Sequence, residues 1–314
     1  MTPHSLGDRL VVVTGKGGTG KTTVAAALGL AAAAAGRRAI VCETGRQARV
    51  PALFGQAAGH PGEEVALESG LWATTIDPQE ALEEWLGRQL PRRLVHVLVG
   101  SGAFGAFVGA APGARELLTI TKAWELGQRE RWRKGARGYD VVILDAPATG
   151  HGVGLLRTPR TFAEIARVGP IAAQARHVDE AIGDPAQTGC VAVALPGELP
   201  VTETLELEER MTQRLGRGLD AIIVNGVWPR RIARPDLERL AAADGRVPAP
   251  AAHAARAAAA RVRTQQAQLA RLRREAQAPV HPLPFVFTRH LGLEDVRALS
   301  ERLARAGSDR RPSR

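Results

Sequence analysis

The chain has 314 residues and a formal net charge of +10, and 45% of its residues are hydrophobic while 24% are charged. These fractions are close to the globular average, so they exclude an intrinsically disordered chain, a collagen and a coiled coil. A chain of this length can bury a sizeable core, either as one large α/β domain or as two smaller ones.

The cysteines and the apolar stretches indicate where in the cell the chain is expected to be. Cys42 and Cys190 are the only two cysteines, and both lie in apolar runs where a reduced, buried thiol is usual. No apolar leader follows the N-terminus, so we expect a reducing, cytoplasmic location. Residues 97–114 form the longest uncharged stretch, but their five glycines and one proline are a poor match to a transmembrane helix.

The first predicted elements are a strand over residues 9–14, a glycine-rich turn and a helix over residues 24–35. The turn matches the phosphate-loop pattern GxxxxGK[ST] in its required context between a strand and a helix. Glycines lack a Cβ, so successive backbone N–H groups can converge on a phosphate at the positive end of the helix. The residues predicted to bind nucleotide here are Gly15, Gly17, Gly18, Thr19, Gly20, Lys21, Thr22 and Thr23.

Lysine is rare in this chain, which otherwise uses arginine for its positive charge. It occurs only as Lys16, Lys21, Lys122 and Lys134. Two lysines in one glycine-rich loop therefore indicate a role that needs a compact cation and that the wide guanidinium group of arginine fills badly. Lys21 can reach the β- and γ-phosphates of a nucleotide, and the Thr22 hydroxyl suits Mg²⁺.

Further apolar runs predict strands over residues 38–42, 71–76 and 140–145. The third of these runs ends in Asp145. An acid at the C-terminal end of a parallel strand lies beside the phosphate loop, where it can orient Mg²⁺ directly or through water. We therefore predict that Thr22 and Asp145 form the metal site.

The remaining runs predict strands over residues 189–195, 220–225 and about 280–285, with segments between them long enough for crossover helices. This alternation predicts an α/β fold, a doubly wound and mostly parallel sheet flanked by helices. Residues 1–306 are expected to form a single domain. Within it we predict a helical region over about 78–135 and an Ala/Arg-rich helix over about 251–277, followed by a disordered basic tail over 307–314.

The motifs resemble those of a known family. Lysine directly after the first glycine, in KGGTGKTT, resembles the deviant phosphate loop of dimeric ATPases that include septum-positioning, plasmid-partition, nitrogenase iron and arsenical-pump proteins. The segment that follows Asp145, Ala-Pro-Ala-Thr149-Gly150-His151, is similar to that of the arsenical-pump and tail-anchored-protein-targeting ATPases, as are Ile76-Asp-Pro and Leu199-Pro-Val-Thr-Glu-Thr204.

The resemblance implies an ATP-dependent dimer with Mg²⁺ as cofactor. It implies that Lys16 reaches across the dimer interface to the partner's nucleotide and that Asn225 recognises adenine. Gly150 is expected to sense the γ-phosphate through its backbone. The partner is either a second copy of the chain or a related ATPase.

One departure from the family pattern concerns catalysis. Gly45 stands where the family has the aspartate that positions the attacking water. Glu43 is the nearest acid and faces similarly on an extended strand. Either Glu43 replaces the missing aspartate, or the site binds ATP and turns it over slowly.

Clients and alternative functions stay open. Residues 97–114 lie where related proteins build a groove for hydrophobic cargo, but a core or interface segment is the favoured interpretation. The arginines of the 251–277 helix are interpreted as a solvated face, because no aromatic stacking platform is predicted beside them, so nucleic acid is not an expected partner. The alternatives are a non-hydrolysing regulatory subunit that pairs with a paralogue and a partitioning or positioning ATPase.

Overall fold

The computed structural model describes residues 10–45, 48–91, 93, 95, 112–166, 168–243 and 247–308. Within these ranges one eight-stranded sheet has the order β3-β4-β2-β5-β1-β6-β7-β8. Its strands are β1 (Leu10–Thr14), β2 (Ala39–Glu43), β3 (Val65–Glu68), β4 (Leu71–Thr75), β5 (Val141–Asp145), β6 (Thr188–Ala194), β7 (Ala221–Val227) and β8 (Val280–Pro284). All neighbouring pairs are parallel except β3 and β4, so the predicted fold class is confirmed.

Helices cover both faces of this sheet. They are α1 (Lys21–Ala34), α2 (Val50–Leu53), α3 (Pro78–Gln89), α4 (Ala114–Leu126), α5 (Thr149–Ala166), α6 (Pro170–Gly183), α7 (Glu198–Leu215), α8 (Arg234–Ala242), α9 (Ala249–Glu275) and α10 (Leu293–Ser308). Helices α1, α2 and α10 pack on the face that includes Val11 and Val13, whereas α4 to α7 and α9 pack on the face that includes Leu10 and Val12. Alternate residues of β1 thus point to opposite layers, as expected for an extended strand buried on both sides.

The seven strands predicted from apolar runs are confirmed to within two residues at each end. Strand β3 was not predicted, because its sequence VALE buries only Leu67 and it pairs antiparallel at the sheet edge with a register shift. The helix predicted over 251–277 is observed as Ala249–Glu275. Cys42 and Cys190 are fully buried, as predicted. The proposed groove segment lies almost wholly outside the described residues, as does most of the predicted tail.

Charged side chains form a buried network where α4 meets the edge of the sheet. Glu125 is fully buried, and its carboxylate accepts hydrogen bonds from Lys122 Nζ and Arg131 Nε, both at 2.9 Å. Arg131 also donates to Glu64 at 2.7 Å, and the Tyr139 hydroxyl donates to the second oxygen of Glu64 at 2.6 Å. Because each carboxylate oxygen has a partner, these charges are tolerated away from water.

No helix among the described ranges is both long and apolar enough to cross a membrane.

Candidate nucleotide site

The glycine-rich loop joins β1 to α1, and its geometry requires glycine at several positions. Gly15 has a φ of +143°, and a Cβ added there would lie 2.3 Å from the Val193 carbonyl oxygen. Gly18 and Gly20 have left-handed φ angles of +82° and +89°. A Cβ at Gly17, by contrast, would have no neighbouring heavy atom within 4 Å. Within this loop, the steric requirement for glycine is therefore strongest at Gly15 and Gly20.

Hydrogen bonds hold the loop in one conformation. The Thr19 hydroxyl donates to the Lys16 carbonyl oxygen at 2.9 Å, and Asn225 Nδ2 donates to the Thr19 carbonyl oxygen at 2.9 Å. Lys21 Nζ donates to the carbonyl oxygens of Gly15 and Lys16, both at 3.0 Å. The ammonium group therefore lies within the curve of the loop, and burial lowers the pKa of Lys21 despite the nearby carboxylate of Asp145.

Asp145 ends β5 beside the start of α1. The Thr22 hydroxyl donates to Asp145 Oδ2 at 2.5 Å, whereas Asp145 Oδ1 is buried and has no hydrogen-bond partner within the described residues. Burial raises the pKa of Asp145, and the Thr22 hydrogen bond and the Lys21 charge offset part of this rise. A hydroxyl and a carboxylate oxygen are ligands that Mg²⁺ accepts, so these residues fit the predicted metal site.

Glu43 ends β2, directly opposite Asp145 in the parallel ladder. Its carboxylate accepts hydrogen bonds from the backbone N–H of Arg49 at 2.7 Å and from that of Val50 at 3.1 Å. The side chain is buried, and this burial raises the pKa of Glu43. Both carboxylate oxygens therefore hold the segment that leads into α2.

Lys16 is the loop residue that turns away from the loop. Its side chain is about half exposed and forms an ion pair with Glu203 of α7 in the same chain. The two lysines of the loop thus have separate surroundings, because Lys21 is folded into the loop while Lys16 contacts the helix beside it.

Two large cavities flank the loop and meet at three of its residues, Gly18, Gly20 and Thr23. The first, the Asp145 cavity, has a volume of about 710 Å³ and is also lined by Lys21, Thr22, Glu43, Gly45 and Asp145. The second, the Trp228 cavity, has a volume of about 850 Å³ and is also lined by Asn225, Trp228, Arg261, Gln265 and Phe285.

Aromatic rings cluster at the Trp228 cavity. The ring centroids of Trp228 and Phe285 are 5.7 Å apart, and those of Phe285 and Phe287 are 4.9 Å apart. The guanidinium carbons of Arg261 and Arg231 lie 4.6 Å from the rings of Trp228 and Phe287, respectively. One arginine of the long helix, Arg261, therefore does lie against an aromatic ring, contrary to the expectation of no aromatic platform beside that helix.

The sequence reasoning missed these cavity residues. Trp228 follows Asn225 by three positions, and Gln265 of α9 accepts a hydrogen bond from the Trp228 backbone N–H at 2.8 Å. Proximity to Asn225 was a signal for Trp228, but no local pattern marks Arg261 or Gln265. Gly150 lies in the first turn of α5; the side chains at positions 149–151, including His151, lie outside the described part of the chain.

The topology and the loop together define an α/β protein with a phosphate-binding loop at the C-terminal edge of a parallel sheet. Residues 8–169, about half of the chain, match the family model described as anion-transporting ATPase. The chain belongs to this family, and it is an ATPase.

Curated relatives agree with this assignment. The chain is 33% identical over 257 residues to the ATPase BagA of Mycobacterium tuberculosis, covering 77% of this chain and 72% of the relative. It is 28% identical to the ATPase GET3 of Kluyveromyces lactis, covering 69% of this chain and 71% of the relative. It is also 28% identical to an arsenical pump-driving ATPase of Escherichia coli, but it spans only 39% of that longer protein.

Proposed function

We propose that the chain is a Mg²⁺-dependent ATPase that works as a dimer, with the phosphates of ATP in the Asp145 cavity and the base in the Trp228 cavity. The observation that carries this proposal is the meeting of the two cavities at Gly18, Gly20 and Thr23. One cavity is lined by charged groups and the other by aromatic rings, which matches the division of a nucleotide into phosphates and a planar base.

In this proposal, Lys21 and the loop N–H groups hold the β- and γ-phosphates. Thr22 and Asp145 hold Mg²⁺, which when bound neutralises phosphate charge. The unpartnered oxygen of Asp145 supports the metal assignment, because a buried carboxylate oxygen is costly unless something pairs with it. The Gly150 backbone senses the γ-phosphate.

Asn225 is proposed to select adenine. One amide hydrogen is donated to the Thr19 carbonyl oxygen, and a primary amide has a second hydrogen and an oxygen for a ligand. An amide oxygen accepts a hydrogen bond from the exocyclic amine of adenine, whereas guanine presents a carbonyl oxygen at the equivalent position. Asn225 would thus both stabilise the loop and recognise the base.

Lys16 is proposed to act on the partner's nucleotide. It must then leave Glu203, and an ion pair as exposed as this one contributes only about 0–1 kcal/mol. The contact within one chain is therefore weak enough for dimer formation to replace it. The phosphates of the partner's nucleotide carry more negative charge than the single carboxylate of Glu203, which would favour transfer of Lys16 from Glu203 to that nucleotide.

A nucleotide-binding regulatory subunit with slow turnover is the second candidate, and the contacts of Glu43 favour it. Both carboxylate oxygens already accept backbone hydrogen bonds, so Glu43 is less free to orient an attacking water. The substitution Glu43→Gln distinguishes the two candidate functions. A water-orienting Glu43 predicts a fall in kcat with KM unchanged, whereas a purely structural Glu43 predicts lower stability with turnover per folded molecule unchanged.

One sheet that contains all the described strands supports the proposal of a single domain over residues 1–306. The two buried free cysteines support a reducing, cytoplasmic location.

Calorimetric titration tests the placement of the nucleotide. ATP and inorganic tripolyphosphate are titrated separately into the chain and into Lys21→Ala and Trp228→Ala, with the exposed Lys134→Ala as the matched lysine control. Lys21→Ala should weaken both ligands by at least about tenfold, because a charged hydrogen bond is lost. Trp228→Ala should weaken ATP only. Equal effects of Trp228→Ala on both ligands would contradict the placement of the base.

A further inference from the structure

A third cavity, of about 830 Å³, lies at the edge of the sheet opposite the phosphate loop. Leu10 and Val142 contribute to its lining from the N-terminal ends of β1 and β5, whereas Thr14 and Asp145 lie at the C-terminal ends of the same strands. About 10–13 Å of strand therefore separates the two regions. The cavity shares no described lining residue with the nucleotide site, and its volume is typical of small-molecule sites.

Tryptophan side chains form the aromatic part of the lining of this cavity, while half of the described lining residues are charged or carry an amide. Three of the five tryptophans of the chain lie here, namely Trp85, Trp124 and Trp132. Trp85 is 9% exposed and Trp124 and Trp132 are half-buried, so the last two present ring surface to the cavity region. Indole faces pack best against flat apolar groups, which favours a ligand with a planar ring.

The polar part of the lining favours an anion. Arg88 forms an ion pair with Glu130 at 3.3 Å, which leaves Arg129 as the net positive charge of the lining. Arg129 is exposed and has no ion pair within the described part of the chain. A guanidinium group binds planar or tetrahedral anions through two parallel hydrogen bonds, so carboxylates and sulfonates suit this position.

The wall formed by residues 127–132 is held in place before any ligand binds. Buried Glu125 accepts a hydrogen bond from the Trp132 backbone N–H at 2.6 Å, and Gln128 Nε2 donates to the Trp124 carbonyl oxygen at 3.1 Å. A Cβ added at Gly138 would lie 2.2 Å from the Gln128 carbonyl oxygen, so the chain is closely packed behind this wall. A preformed wall reduces the entropy cost of binding.

We propose that this cavity is a second ligand site, which takes a small planar aromatic anion with its ring against Trp124 and Trp132 and its acidic group at Arg129. This inference does not depend on the proposed nucleotide function. The ring and the anionic group meet separate, complementary parts of one lining, as in small-molecule sites that combine an apolar surface with a few placed polar groups.

The test uses the full chain, saturated with ATP, and the aromatic sulfonate 8-anilinonaphthalene-1-sulfonate as the probe. Energy transfer from tryptophan to the probe reports binding near the indoles. Arg129→Gln and Trp132→Leu change the cavity, whereas Arg133→Gln alters an exposed arginine outside the lining and Ile165→Ser alters an exposed apolar side chain elsewhere. Circular dichroism checks that each variant is folded, and Arg129 is exposed enough for its variant to fold.

We expect a single saturable class of sites whose affinity falls by at least about tenfold in each cavity variant and is unchanged in the other two. Absence of saturable binding would overturn the proposal. An affinity that is unchanged in Arg129→Gln would also overturn it, because the probe would then occupy a different surface. A lower affinity for the probe in saturating ATP than without ATP would overturn it too, because the probe would then compete for the nucleotide site.

Discussion

Alanine at position 20 is expected to cost more folding free energy than alanine at position 18, although both glycines have left-handed backbone angles. A Cβ added at Gly20 would lie 2.3 Å from Asn225 Nδ2, whereas one added at Gly18 would have no heavy atom within 4 Å. The left-handed conformation alone costs about 1–2 kcal/mol for a residue other than glycine. At Gly20, loss of the hydrogen bond from Asn225 to the Thr19 carbonyl oxygen adds about 1 kcal/mol.

The expected losses are therefore about 1–2 kcal/mol for Gly18→Ala and about 2–3 kcal/mol for Gly20→Ala. Urea unfolding followed by circular dichroism measures both. The entropy that alanine removes from the unfolded chain is similar at the two positions, so it cancels in the comparison.

The same assay in an Asn225→Ala background isolates the contact. Without the amide group, Gly20→Ala should cost only the left-handed conformation, so the coupling between positions 20 and 225 should be about 1 kcal/mol. An equal cost of Gly20→Ala in both backgrounds would refute the reasoning. A cost of Gly18→Ala at least as large as that of Gly20→Ala would also refute it.

Three further predictions concern buried and paired charges. Glu125→Ala leaves Arg131 buried with one carboxylate partner fewer and should cost about 3–5 kcal/mol in urea unfolding, whereas the exposed Glu130→Ala should cost less than about 0.5 kcal/mol. Burial raises the pKa of Asp145 in the folded chain, so ionising this carboxyl costs folding free energy at neutral pH and not in acid. Asp145→Asn removes that cost, so at about pH 7 the variant should unfold at a higher urea concentration than the parent chain. The difference between the two urea midpoints should close at about pH 4. Glu203→Gln frees Lys16 and should raise the ATP-dependent dimer fraction in analytical ultracentrifugation; an unchanged fraction would mean that the pair does not compete with dimer formation.

The sheet was predictable because parallel strands buried on both faces appear as short apolar runs. β1, β2 and β5 are buried at every position but one, the partly exposed Asp145 at the end of β5. Strand β3 lacks this signal because its stability comes from pairing with β4 and not from its own apolar residues. An edge strand needs little apolar side-chain area, so a search for apolar runs cannot detect it.

The site was predictable where one contiguous motif carries it. The phosphate loop lies in nine consecutive residues, and the prediction that Asp145 lies beside it follows from strand direction alone. The Trp228 cavity is assembled from β7, the end of β8 and the middle of α9, which no local spacing relates. The contacts of Lys16 with Glu203 and of Glu43 with the start of α2 depend on tertiary packing in the same way.

Steady-state hydrolysis of Mg·ATP by the purified full chain tests the central claim most directly. Lys21→Ala serves as the loop variant and Lys134→Ala as the matched control, with ATP binding measured in parallel. The account predicts ATP binding and turnover by the parent chain and by Lys134→Ala, and loss of both in Lys21→Ala. Turnover that is equal in Lys21→Ala and the parent, or no ATP binding by the parent, would contradict it.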